Sequence, residues 1–134
     1  MNHLAIMDDK KYIDKILNKE KTIESRFSKN KISPYKKIKP NDVVYLKVSG
    51  SNKIVAKFEV SKVLFFEKFD IQDIKHKYNK FICAPDFYYI KKKYSKYATL
   101  IYIKNPCLIE KKEIIKKNRL AFVSNFLFKE DICQ

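Results

Sequence analysis

The chain has 134 residues and a mass of 16.0 kDa, the size of one domain spanning residues 1–134 around one hydrophobic core. Its 30 Lys and Arg residues outnumber its 15 Asp and Glu residues. The resulting net charge of +15 favours a polyanionic partner: nucleic acid, an anionic membrane or an acidic protein. A single glycine, Gly50, excludes the dinucleotide-binding fingerprint and the P-loop, because each needs several glycines where the backbone approaches phosphate.

Membrane and metal-binding classes are disfavoured as well. The apolar runs are shorter than the roughly 18 residues of a membrane span, and residues 4–7 are too few for the core of a signal peptide. The three cysteines are scattered without a CxxC pair, and only two histidines accompany them, so neither a disulfide framework nor a zinc site is indicated. We therefore predict a cytoplasmic protein with reduced thiols, no cofactor, no metal and no membrane association.

The N-terminal elements are predicted to be a strand, a helix and a second strand. Residues 4–6 form a short apolar strand, and Asp8 or Asp9 supplies an N-cap for the helix that follows. The helix ends near Lys19 and carries an apolar stripe of Tyr12, Ile13, Ile16 and Leu17. Residues 22–28 then alternate between polar and apolar side chains, which is typical of a strand.

A hairpin and a bent strand are predicted in the middle of the chain. Residues 39–42 have turn chemistry and precede a strand at 43–48. Gly50 lies in a short polar loop, which indicates an antiparallel partner strand beginning at Ile54. The apolar positions of that strand are Ile54, Ala56, Phe58 and Val60, followed out of phase by Val63 and Phe65. The slip near Ser61 and Lys62 predicts a β-bulge or bend, as at the corner of a small barrel.

The second half mixes short helices with strands. Asp70 precedes apolar residues at helical spacing, and Asp86 is predicted to cap another helix that runs into the lysines at 91–93. Residues 97–103 form a strand of the buried type. Ile114 and Ile115 indicate one or two helical turns, and residues 120–128 a closing strand or edge segment. This order predicts an α+β domain built on a small, strongly bent antiparallel sheet.

The most informative segment is residues 21–26. In a strand, Thr22, Glu24 and Arg26 share one face, opposite an apolar face, while Lys21 lies at the junction with the preceding helix. Two cations and a carboxylate can line a cleft that holds a phosphate or the polar edge of a base. The same spacing also fits an ordinary surface ion pair between Glu24 and Arg26, worth about 0–1 kcal/mol.

The motif and its surroundings resemble the ASCH domain family, whose hallmark is GxKxxExR. The quoted residues are Lys21-Thr22-x-Glu24-x-Arg26, then Ser28-Lys29-Asn30, Pro34-Tyr35 and Lys39-Pro40-x-Asp42, with Lys19 in place of the first glycine. The resemblance implies a PUA-like β-barrel with flanking short helices and a role in RNA binding or RNA metabolism. It also implies a cleft lined by Lys21, Glu24 and Arg26, with Ser28, Lys29, Asn30 and Tyr35 at its mouth.

Enzymatic branches of the family offer an alternative function. One branch resembles amidohydrolases that remove the acyl group of acetylated cytidine through a Lys, Thr and Glu constellation. Here Lys21 is present, Glu24 stands where that branch carries its nucleophilic threonine, Thr22 is the nearby hydroxyl, and Glu67 is the nearest candidate for the third role. In a ribonuclease-like branch, Lys21, Glu24 and Arg26 would supply acid, base and phosphate clamp.

An aromatic and lysine-rich segment adds a second signal for nucleic acid. Phenylalanine and tyrosine residues at 87–89, 94 and 97 are interleaved with lysines at 91–93 and 96. Exposed aromatics between lysines stack the bases of single-stranded RNA, but buried aromatics with lysines extending to solvent give the same pattern. Of the two histidines, His3 is the better placed to approach the cleft. We predict an RNA- or nucleotide-binding protein, with a small hydrolase and an adaptor for an acidic protein as alternatives.

Overall fold

A computed structural model describes residues 1–113 and 120–126. In chain order the elements are β1 (Asn2–Met7), α1 (Lys10–Leu17), β2 (Ile23–Ser28), β3 (Val43–Val48), β4 (Lys53–Glu67), α2 (Ile71–Ile82), α3 (Asp86–Lys91), β5 (Tyr97–Glu113) and β6 (Phe122–Ser124). The predicted helical turns at Ile114 and Ile115 lie outside the described residues, as do the last two positions of the segment predicted at 120–128.

The strands form one curled sheet in the order β2-β5-β4-β3-β1-β6. Adjacent strands are antiparallel except β1 and β3, which pair in parallel from Asn2 opposite Val43 to Met7 opposite Val48. The sheet is thus antiparallel, as predicted, at every pair of the described strands except this one. The chain passes through α1 and β2 between β1 and β3, and a parallel pair requires a crossover connection of this length.

The sheet curls because its two longest strands are irregular. Strands β4 and β5 have 15 and 17 residues, and their register shifts at three points. One shift lies between Val60 and Lys62, which confirms the slip predicted near Ser61. Bulges increase strand twist, so β4 and β5 bend, and the sheet becomes a half-barrel with β2 and β6 at its open edges. Strand β5 is also longer than the predicted 97–103, since it follows β4 along its whole length.

Local capping explains where the helices begin. Lys11 N–H donates to Asp9 Oδ1 at 2.9 Å, and the corresponding bond at α2 joins Gln72 N–H to Asp70 Oδ1. The prediction for Asp86 was wrong, because Pro85 occupies the N-cap and Asp86 is the first residue of α3. The Asp86 carboxylate instead lies 3.0 Å from Lys75 Nζ, in the first turn where the helix dipole favours negative charge.

The described residues form three hydrophobic clusters, and the two larger ones pack against helices. The first joins α1, through Ile13 and Ile16, to β3, β4 and β6, and contains the fully buried Phe58. The second joins α2 and α3 to β2 and the first part of β5. One helix thus packs on the first cluster and a helix pair on the second.

We expect Phe58→Ala to lower the free energy of unfolding by about 3–5 kcal/mol, because Phe58 is 0% exposed and the cavity it leaves cannot be refilled. Leu108, which is 72% exposed, is the control, and Leu108→Ala should change stability by about 0.5 kcal/mol or less. Urea denaturation measures both. Equal effects of the two variants would contradict this description of the core.

Candidate functional site

A cleft of about 500 Å³ opens between β2, α3 and the end of β1, which is within the range of ligand-binding cavities. Six parts of the chain line it: the β1–α1 junction, Lys21 with residues 24–28, the loop at 32–35, the region from the end of α2 through α3, Thr99 on β5, and residues 120–122. Its walls contain apolar side chains such as Met7 and Phe122 as well as charged ones. The cleft therefore combines an apolar surface with a small group of fixed charges.

Lys21 and Arg26 both contact Glu24 within the lining of this cleft. The Lys21 ammonium lies 3.4 Å from Glu24 Oε1, and an Arg26 Nη lies 3.1 Å from Glu24 Oε2. The side chains of Lys21 and Glu24 are 4% and 6% exposed. The interpretation of Glu24 and Arg26 as a surface ion pair was therefore wrong, because the chain around them removes both carboxylate oxygens from solvent.

Lys21 attaches this triad to α2. Its Nζ donates to the carbonyl of Ile82 at 2.6 Å and to the carbonyl of Ile23 at 3.1 Å. Ile82 is the last residue of α2, where helical carbonyls lack intrahelical donors and favour a cation. Two of the three ammonium protons are thus donated to carbonyls, and the ion pair with Glu24 lies beside them.

Glu24 is the carboxylate shared by both cations. Burial alone would raise its pKa, but attraction from Lys21 and Arg26 and their hydrogen bonds outweigh burial and hold the pKa of Glu24 below its ordinary value. The Ser25 N–H also donates to Oε1 at 3.1 Å. Glu24 is therefore ionised, which gives a carboxylate suited to positioning cations and poorly suited to act as a base at neutral pH.

Arg26 spans the open side of the half-barrel. From edge strand β2 it donates to the carbonyl of Ile6 on β1 at 3.2 Å and to that of Ala121, next to edge strand β6, at 3.3 Å. Its guanidinium also lies over the Phe122 ring, 5.4 Å from the centroid. The buried Nε–H has no hydrogen-bond partner among the residues that the structure describes. Arg26 thus holds the two sheet edges at a set distance and keeps one donor unused.

Solved structures with the same architecture identify the fold. ASCH from Zymomonas mobilis matches with a TM-score of 0.73 at 9% identity, over 98% of this chain and 91% of that chain. A Ser-to-Ala variant of that protein gives 0.72 at 10% identity, over 98% of this chain and 92% of its own. The chain has the ASCH-domain fold. No protein-family model and no curated protein matches the sequence. The predicted PUA-like α+β fold is confirmed.

The remaining residues predicted from the ASCH motif lie in three different places. Ser28 and Tyr35 line the cleft, and the Tyr35 ring lies 4.9 Å from that of Tyr97. Lys29 and Asn30 are exposed on the following loop, outside the cleft lining. The residue Thr22 lines a separate cavity of about 240 Å³ beside Ile16 and Pro106.

Glu67 and His3, two further candidates from the sequence, both lie outside the cleft lining. Glu67 is exposed at the end of β4, away from the cleft lining. His3 is buried and lies 2.8 Å from Asp42 Oδ2 and 3.0 Å from Ser124 Oγ, so it fastens β1 to the start of β3 and to β6. Its ring is 5.7 Å from that of Phe122, a cleft residue, but His3 itself does not line the cleft.

Lys19 occupies the position of the motif's first glycine. Its φ of 69° is in the left-handed region, which glycine adopts without strain and other residues adopt rarely. The tight connection between α1 and β2 is therefore retained in this chain despite the substitution, and Lys21 follows it in the geometry described above.

Sequence reasoning missed Ser25 and did not connect Tyr88 with the cleft. The alternation of β2 assigns position 25 to the apolar face, yet Ser25 lines the cleft and its Oγ lies 3.0 Å from the Tyr88 hydroxyl. That hydroxyl also donates to the Ser25 carbonyl at 3.1 Å, and burial raises the pKa of Tyr88. The partners are 63 residues apart, so no local pattern indicates them.

Metal ligation and membrane crossing find no support in the described part of the chain. Residues 1–113 and 120–126 contain no group of three or more His, Cys, Asp or Glu side chains that could hold a metal ion. Within the same ranges, no helix has the length and apolar character needed to cross a membrane.

We expect Glu24→Gln to destabilise the protein by about 3–5 kcal/mol, because the substitution leaves the buried Lys21 and the partly buried Arg26 without their shared carboxylate. Asp14→Asn is the matched control, since Asp14 forms an exposed pair with Lys10 and its loss should cost about 0.5 kcal/mol or less. Chemical denaturation at neutral pH provides both values. Similar losses in the two variants would show that the buried triad is no stronger than a surface pair.

The stability difference between wild type and Glu24→Gln should depend on pH. Because folding lowers the pKa of Glu24, its ionised form stabilises the native state above its ordinary value of 4.5, and this contribution is lost as pH falls through the lower folded-state pKa. Denaturation of both proteins from pH 7 downwards should show the difference narrowing below that ordinary value. Asp42, whose pKa is also lowered, is present in both proteins and cancels. A stability difference that stays constant as pH falls would contradict a lowered pKa of Glu24 in the folded protein.

Proposed function

We propose that the cleft binds RNA or a nucleotide-like ligand through the buried Lys21, Glu24 and Arg26 triad. The Arg26 guanidinium carries the proposal: it lines the cleft on a side chain that is 18% exposed, so a ligand oxygen can reach its terminal Nη groups although its Nε is buried. Guanidinium groups bind phosphate and base acceptors with defined geometry. Glu24 holds Arg26 in place, so the guanidinium is oriented before a ligand arrives.

The charge balance of the cleft supports an anionic ligand. Its lining contains three carboxylates, Asp8, Asp9 and Glu24, and five cations, Lys11, Lys21, Arg26, Lys91 and Lys92. Partial burial of Lys92, together with repulsion from the nearby Lys91 and Arg26 charges, lowers its pKa. A phosphate at this wall would relieve the repulsion between cations. Lysines elsewhere on the surface would add affinity that is independent of sequence and sensitive to salt.

Hydrolysis of a modified nucleoside, or of RNA, is the alternative function. It needs a nucleophile or an acid and base pair in the cleft. The Lys21 ammonium is buried and donates to two carbonyls, the lowered pKa of Glu24 favours its ionised form, and Thr22 faces a different cavity. These observations favour ligand binding over the roles for Lys21, Thr22 and Glu24 that a deacylase would require. Incubation with acetylated cytidine and with labelled RNA tests this alternative directly.

We expect a fluorescent single-stranded RNA of about ten nucleotides to bind with an affinity that falls steeply with salt. Arg26→Lys keeps the charge but removes Nε and the planar fork, and should weaken binding of both this RNA and AMP by about tenfold or more. Lys92→Gln, a cleft-wall change outside the triad, should also weaken both. Fluorescence anisotropy and calorimetry measure these affinities.

Lys53→Gln is the matched control, because Lys53 is exposed at the start of β4 and lies outside the cleft lining. It should leave AMP binding unchanged, and circular dichroism should show that all three variants retain the wild-type fold. Binding that is independent of salt, or no binding of RNA and AMP by the folded protein, would overturn the proposal. If the protein deacetylates acetylated cytidine or cleaves RNA, and Arg26→Lys abolishes that activity, the result would favour the hydrolase.

A further inference from the structure

The aromatic and lysine-rich segment at 87–97 is divided by the fold into a buried part and an exposed part. Tyr89 is fully buried and its hydroxyl lies 2.6 Å from Asn79 Oδ1, while the Tyr88 hydroxyl is held by Ser25. By contrast, Phe87 and Tyr94 are 66% and 69% exposed. The sequence allowed either exposed aromatics that stack on bases or buried core aromatics. Each interpretation holds for part of the segment, because adjacent aromatics of one short helix point to opposite sides.

The exposed side chains form a continuous strip that begins at the cleft. Phe87, Ile90 and Lys91 share one face of α3 by their spacing of three and four residues, and Ile90 is 60% exposed. Both Phe87 and Lys91 line the cleft, and Tyr94 follows in the turn after the helix. We call Phe87, Ile90, Lys91, Lys93 and Tyr94 the α3 strip.

The charge of the strip indicates its partner. Lys91, Lys92, Lys93 and Lys96 lie within six residues, and none of the salt bridges formed by the described residues involves them. Lys93 lies 5.0 Å from the centroid of the Tyr94 ring. Exposed rings beside unneutralised cations fit a polyanion that carries flat apolar groups, which is the chemistry of unpaired bases on a phosphate backbone.

We propose that the α3 strip is a stacking platform for single-stranded RNA, which continues from the cleft across Phe87 to Tyr94. The proposal rests on nucleotide binding in the cleft and extends it: the cleft holds one nucleotide, and the platform holds those adjacent to it. Bases in a duplex already stack on each other and cannot lie on these rings, so the platform selects unpaired strands. The lysines neutralise the phosphates between the stacked bases.

The test compares AMP, a single-stranded oligoadenylate of about ten nucleotides, and a duplex RNA of equal length. The oligoadenylate should bind more tightly than AMP, and more tightly than the duplex. Tyr94→Ala should weaken oligoadenylate binding about fivefold or more, the loss expected for one stacked base, and leave AMP binding unchanged. Phe87→Tyr should retain oligoadenylate affinity and Phe87→Leu should not, because stacking needs a ring and not only apolar area.

Phe81→Ala and Leu108→Ala are the controls, since both side chains are exposed and outside the cleft lining, and Phe81 likewise has a lysine over its ring. Neither should change oligoadenylate affinity. If AMP binds and responds to Arg26→Lys but Tyr94→Ala leaves oligoadenylate affinity unchanged, the platform is overturned and the cleft function stands. If neither AMP nor oligoadenylate binds, both proposals fall. Equal affinity for the duplex and the oligoadenylate would also overturn the platform. So would binding of polyglutamate or anionic vesicles that is tighter than binding of the oligoadenylate and is lost in Tyr94→Ala.

Discussion

The half-barrel depends on a buried carboxylate that is shared by two cations. Glu24 orients Lys21 toward the end of α2 and Arg26 toward β1 and residue Ala121, so one charge cluster connects a helix terminus with both open edges of the sheet. Because removal of ions from water is expensive, such a cluster is stable only where its ion pairs and hydrogen bonds offset that cost, and the Arg26 Nε–H is the buried group left without a partner among the described residues. The partners come from β1, β2, the end of α2 and the residue before β6, and the cleft lies between these parts of the chain.

The charges relevant to function are a small part of the whole. A net charge of +15 describes general attraction to polyanions, but most lysines are dispersed over the surface. The cleft lining has five cations and three carboxylates, an excess of two positive charges. One of these cations is Arg26, whose Nε–H has no hydrogen-bond partner among the described residues. Dispersed lysines supply long-range attraction, and the few fixed groups supply selectivity, which explains how one chain can combine weak general affinity with a defined site.

Much of the fold could be predicted locally. The caps at Asp9 and Asp70, the turn at Gly50 and the slip beside Ser61 are short-range features, since each depends on residues within a few positions. The parallel pairing of β1 with β3 could not be predicted in this way, because it depends on how the chain returns after α1 and β2. The N-cap at Pro85 was missed because the Asp86 carboxylate pairs with Lys75 on α2, a residue distant in sequence.

The sequence by itself determined the motif residues, their alternation on β2 and the excess of positive charge. Only the tertiary structure decided that Lys21 and Glu24 are buried together, that Thr22 faces another cavity, and that Ser25 meets Tyr88. It likewise divided the aromatics of α3 between core and solvent. The physical reason is common to all four: burial and hydrogen-bond partners are set by residues distant in sequence, and local periodicity specifies a face of a strand or helix without specifying what covers it.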